Sequence, residues 1–116
     1  MKTLQLIIKE KFLAEIVSGT KLIETRDIRP KNASRYIVDI ELPDGEKDIA
    51  PKQYDAIQFY AGYNVNRKKA LVEVLGAEIL IVADENGQDI ELEEDGEIYL
   101  AAIVEYRLGK VLEHNY

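Results

Sequence analysis

Gly19-Thr20-Lys21-Leu22-Ile23-Glu24-Thr25-Arg26-Asp27 is where the chain changes from one kind of local structure to another. Upstream, Glu10 to Ser18 carries Phe12, Leu13, Ile16 and Val17 on one helical face. Gly19 closes that helix, because glycine enters the left-handed conformation most cheaply. Lys9 precedes the helix, so its start has no side-chain cap. Downstream, Leu22 to Ile28 reads as a strand, and alternate residues of a strand share a face. Leu22, Glu24, Arg26 and Ile28 then point one way, and Ile23, Thr25 and Asp27 the other. A carboxylate and a guanidinium thus share a face with two large aliphatic side chains. Either that face is inward and the charges are paired or used, or it faces solvent and the two are simply neighbours.

Outward from this stretch, the chain reads mostly as strands. Met1 to Lys9 is a first strand, with Leu4, Leu6, Ile7 and Ile8 as its apolar run. Pro30 ends the second strand, and Lys31-Asn32-Ala33-Ser34 reads as a polar loop. Tyr36 to Leu42 alternates as a third strand, and Pro43-Asp44-Gly45 turns it toward a short hairpin partner, Glu46 to Ile49. After the break Pro51-Lys52-Gln53-Tyr54, Asp55 to Ala61 forms a strand with Ile57 and Phe59 on one face. The loop Gly62-Tyr63-Asn64-Val65-Asn66 leads to the basic cluster Arg67-Lys68-Lys69. Lys69 to Val82 is the most strand-like stretch, with Gly76 marking a bulge or bend. Asn86-Gly87 predicts a type I′ hairpin turn, and the acidic Glu91 to Glu97 an exposed loop. Ile98 to Arg107 predicts a last long strand, turned by Leu108-Gly109-Lys110 into the tail Val111 to His114. Many non-local strands with one or two short helices predict one α+β domain over residues 1–116, built on a small closed or nearly closed β-barrel.

Composition narrows the functions. The 116 residues contain no cysteine, which excludes a disulfide scaffold, thiolate metal sites and a cysteine nucleophile. No stretch has the length of a membrane span, and no signal peptide is visible, so the expectation is a cytoplasmic protein without a membrane partner. The net charge is −7, unevenly spread: residues 1–36 carry +4 and the remaining 80 carry −11. Duplex DNA is not an expected partner, since non-specific duplex binding needs many basic contacts to phosphates. A local basic pocket for a short strand, a nucleotide or a nucleoside fits the pattern. The single histidine, His114, reads as a solvated tail residue, which argues against metal binding and against a Ser-His-Asp site. No glycine-rich phosphate loop is present, and neither a cofactor nor an oligomeric state is indicated.

The spacing Gly19-x-Lys21-x-x-Glu24-x-Arg26, directly after a short helix, resembles the motif of ASCH domains, a branch of the PUA-like fold. Tyr54-Asp55 stands where the family commonly has a Gly-Asp pair, and the terminal strand with its Leu-Gly-basic turn is similar to the family's ending. The resemblance implies a small mixed β-barrel of PUA-like type. It also implies an acidic residue on the Lys69 to Val82 strand facing the motif lysine, and Glu73 matches it, sharing a strand face with Leu71 and Leu75.

Two functions follow from that resemblance. The first is an RNA-binding or modified-nucleoside-binding module, with Lys21, Arg26 and Arg67 supplying positive potential and Glu24 and Glu73 orienting them or accepting hydrogen bonds from a base. Tyr60, Tyr63 and Asn64 flank the same loop as Arg67, and the two tyrosines offer base-stacking surface. The alternative is an amidohydrolase acting on an N4-acylated cytidine, resembling a branch with a Lys, Thr and Glu catalytic set. Lys21 and Glu73 match that set, and Glu24 stands in place of the Thr. That replacement points to attack by water, with Lys21 stabilising the oxyanion and Glu24 or Glu73 activating the water.

Overall fold

The computed structural model describes residues 1–116 and is mostly β, with two short helices. The elements are β1 (Thr3–Ile8), α1 (Glu10–Ser18), β2 (Ile23–Ile28), α2 (Ala33–Tyr36), β3 (Ile37–Glu41), β4 (Lys47–Pro51), β5 (Ala56–Ala61), β6 (Lys69–Ile81), β7 (Glu91–Glu94), β8 (Glu97–Leu100) and β9 (Ala102–His114). Hydrogen bonding orders five strands as β1-β5-β6-β9-β2, while β3-β4 and β7-β8 pair separately as hairpins. The α+β reading holds at this level, and a closed barrel is not among these pairings.

Contacts group the chain into two compact units. The first comprises Met1–Glu24, Gln53–Gly76 and Tyr106–Tyr116. In it β1 runs parallel to β5, from Thr3 opposite Ala56 to Ile8 opposite Ala61. β5 is antiparallel to β6, from Ala56 opposite Glu73 to Tyr60 opposite Lys69. Strand alternation sends Leu4, Leu6 and Ile8, with Ile57 and Phe59, and Ala70 and Val72, into the core. Leu13 and Ile16 of α1 are buried as well, and the helix packs against β5. At its end Gly19 takes φ 85°, and the Thr20 and Lys21 N–H groups both reach the Glu15 carbonyl. Lys9 caps the start without a side-chain bond, as its residue type dictates.

The second unit comprises Thr25–Lys52 and Ala77–Glu105. Here Ile28, Tyr36 and Val104 are buried. The predicted loop at Lys31–Ser34 instead leads into a helical turn, α2. Asn32 shapes its approach by accepting from the Arg29 N–H (2.8 Å) and donating to the Asp27 carbonyl (3.1 Å). Tyr36 therefore ends α2 and is buried, and the third strand starts one residue later. β3 and β4 form the expected hairpin, which runs on to Pro51.

The acidic segment is the largest departure from expectation. Glu91–Glu94 is strand β7, paired with β8, and Asp95-Gly96 is the turn between them. Both turn residues have positive φ, 52° and 83°, as a type I′ turn requires. At Asn86-Gly87 only Gly87 has positive φ, and the Gly87 N–H bonds back to the Asp84 carbonyl. That is a type I turn followed by a left-handed glycine, not the predicted type I′ turn. The expected last strand is likewise divided: β8 ends at Leu100, and β9 runs without a turn through Leu108-Gly109-Lys110.

Candidate functional site

The Gly19–Arg26 motif is built into the fold. Along β2, Glu24 and Ile28 are buried and Arg26 half-buried, while Ile23, Thr25 and Asp27 are exposed. The predicted parity holds except at Leu22, which lies before the strand and is 61 % exposed. Glu24, at 6 % exposure, is the one buried charged residue. Lys21 Nζ stands 3.7 Å from Glu24 Oε1 and donates to the Ile23 carbonyl at 2.6 Å. The same ammonium lies 5.9 Å from the Phe12 ring centre. Gly19 ends the helix, so Lys21 turns back over the helix end and its charge is largely spent within the protein.

Glu73 does not join this group. A Cβ on Gly109 would collide with Glu73 Oε1 and come within 2.9 Å of Leu75 Cδ2, so Glu73 and Leu75 cover Gly109. Glu73 Oε1 also accepts from the Lys110 N–H at 3.3 Å. On β9 the buried residues are Val104, Tyr106 and Leu108, and Gly109 alternates to the other face. The Leu108 N–H bonds to the Leu22 carbonyl, which sets β9 beside the start of β2 and puts Glu24 on the buried side with Leu108. Glu24 and Glu73 therefore face opposite sides of the sheet, and no ion pair joins Glu73 to Lys21. The physical reason is that Ala70 and Val72, not Leu71 and Leu75, form the core face of β6.

A second group does assemble. Ala61 and Lys68 close the β5–β6 hairpin through the Ala61 N–H to Lys68 carbonyl bond, leaving Gly62–Arg67 as its loop. Arg67 Cζ lies 3.9 Å from the centre of the Tyr60 ring, and Nη1 donates to the Gly62 carbonyl at 3.2 Å. The Arg67 N–H reaches the Asn64 carbonyl at 3.1 Å, closing a turn through Val65 and Asn66. Tyr63, in contrast, projects into solvent at 83 % exposure. Asn115 locks the end of this loop, accepting from the Lys69 N–H (2.8 Å) and donating to the Arg67 carbonyl (3.1 Å). Lys68 Nζ donates to the Asn115 carbonyl and lies 5.2 Å from the Tyr116 ring centre.

Two concavities share this loop. One, of about 350 Å³, is lined by Tyr60, Val65, Asn66, Arg67, Lys69 and Asn115. The other, of about 560 Å³, includes Asn64, Lys68 and Glu10. Arg67 lines both concavities, Tyr60 the first and Asn64 the second, and Asn115 joins Tyr60 and Arg67 without a signal in its own neighbourhood of the sequence.

Charge divides along the same lines. The first unit holds nine Lys/Arg and six Asp/Glu, a net of +3, and the second holds six and sixteen, a net of −10. These add to the −7 of the whole chain. Arg67, Lys68 and Lys69 enter no ion pair, and Glu10 is the one acidic residue lining either concavity. No group of three His, Asp or Glu side chains is placed to hold a metal ion, and no helix is long and apolar enough to cross a membrane. Comparison with models of protein families, with curated proteins and with solved structures finds no match for this chain.

Proposed function

We propose that this chain is a module that binds single-stranded RNA or a nucleotide at the Gly62–Lys69 loop, in a PUA-like fold of the ASCH kind. The observation that carries the reading is the Arg67-Lys68-Lys69 cluster. It holds three cations without carboxylate partners, beside two concavities, on the unit whose net charge is +3. Clustered unpaired cations beside exposed aromatic surface suit a strand whose phosphates need neutralising and whose bases need stacking. The motif Gly19, Lys21, Glu24 and Arg26 supports the family assignment. Within the site it acts at a distance, by closing α1 and seating β2.

Amide hydrolysis is not favoured by the geometry. It needs Lys21 and Glu73 at one scissile bond, whereas Lys21 pairs with Glu24 and the Ile23 carbonyl and Glu73 lies over Gly109.

Fluorescence anisotropy with a labelled single-stranded oligouridylate at low salt tests the proposal. Binding that weakens about tenfold in K68A/K69A, and falls as salt is raised, supports it. A wild-type protein that is folded and gives no signal with any RNA homopolymer or nucleotide at low salt removes it.

A further inference from the structure

We propose that Arg67, backed by Tyr60, is the stacking platform for one unpaired nucleobase in the 350 Å³ concavity; this rests on the nucleic-acid-binding reading above. A base cannot take the face of Tyr60 that Arg67 already covers at 3.9 Å. The guanidinium is itself planar, and a base stacks on such a plane as it does on an aromatic ring. The column is therefore Tyr60, then Arg67, then the base.

The platform is preorganised. Nη1 is held by the Gly62 carbonyl, the Arg67 N–H by the Asn64 carbonyl, and the Arg67 carbonyl by the Asn115 amide. Fixing these groups before the ligand arrives lowers the ordering cost of binding. No carboxylate competes for the guanidinium.

Recognition of the base edge falls to Asn66. Asn66 lines the same concavity, and its side-chain amide makes no hydrogen bond within the protein and offers both a donor and an acceptor. Lys69 lines the concavity too and has no ion-pair partner, which suits the phosphate next to that base. The volume is near the lower end of small-ligand sites, which run from roughly 300 to 1,000 Å³. It matches a single base better than a stacked pair.

The experiment separates stacking from charge. Wild-type protein, Arg67→Lys and Asn66→Ala are titrated against an oligouridylate and against an abasic ribose-phosphate strand of the same length, across a salt series. Wild type is expected to prefer the base-bearing strand by about tenfold. Arg67→Lys keeps the charge and the salt slope and loses that preference, because an ammonium has no plane. Asn66→Ala, a change on an exposed loop, alters the rank order among the four RNA homopolymers and keeps the salt slope. Equal binding of both strands by wild type, or an undiminished preference in Arg67→Lys, overturns the platform. Should Arg67→Lys fail to fold, an unaltered homopolymer order in Asn66→Ala overturns it. Absence of binding to either strand by wild type removes the underlying binding reading as well.

Discussion

Glu24 is the only charged side chain the fold buries, and its burial sets a cost that its neighbours must offset. Lys21 stands 3.7 Å away, itself only 24 % exposed at the side chain. Glu24→Ala opens a small void and leaves Lys21 without its carboxylate, so it is expected to destabilise by about 2–3 kcal/mol, less than breaking a fully buried pair because the Lys21 side chain keeps contact with water. Urea midpoints at unchanged slope read this directly, and a loss below about 0.5 kcal/mol would show that the pair is dispensable. The other residue with a distinctive electrostatic setting is Tyr116, whose phenol is pushed above its ordinary pKa of 10.0 by burial, with the Glu10 carboxylate adding to the effect. A raised pKa means that folding favours the neutral phenol. Its contribution is complete below pH 10 and is lost as pH rises through the folded value. Tyr116→Phe should remove that part of the alkaline loss of stability, and the tyrosinate absorbance titration should lose a component that titrates above pH 10.0. An unchanged alkaline limb in the variant would contradict the assignment.

At the scale of elements, turn chemistry decides more than strand propensity does. The two hairpin glycines look alike in sequence but sit in different turns. Asp95 is at φ 52° and needs a residue that tolerates the left-handed region; Asn86 is not in that region at all. Asp95→Ala should therefore cost about 1 kcal/mol or more, and Asn86→Ala markedly less through backbone strain. Comparing the two in urea checks this, and equal costs would refute the turn assignment. Asn-Gly is the stronger hairpin signal, yet three residues of loop here make a type I turn with a following glycine instead. The β7 strand was hidden for a related reason. Glu91-Leu92-Glu93-Glu94 has poor strand propensity and little alternation, so only its partner β8 and the Asp95-Gly96 turn make it a strand. By contrast α1, β1, β5 and most of β6 were readable, because their apolar period matches the element they form. Parity was readable on β6 but not the choice of inward face. Small Ala70 and Val72 took the core, and Leu71 and Leu75 did not.

For the whole molecule, the useful quantity is not the net charge but its division. A chain of −7 argues against nucleic acid, whereas the unit that carries the Gly62–Lys69 loop is at +3 and the other unit at −10. A split by position along the chain misses this, since the basic unit is assembled from three separate segments. Asn115 was unreadable for the same reason: it reaches its loop across 46 residues of sequence. Tyr60, Asn64 and Arg67 were readable because one hairpin holds them all. The division sets a limit on phosphate contacts. With Arg67, Lys68 and Lys69 as the available cations, a single strand should show a log–log salt slope of about −2, at roughly −0.7 per phosphate neutralised. Duplex of equal length should bind more weakly, because a rigid double helix cannot splay a base toward Arg67. Neutralising all three cations should bring the slope close to zero. A wild-type slope steeper than about −4, or duplex bound as tightly as single strand, would require a second phosphate track outside this loop and would count against it as the site.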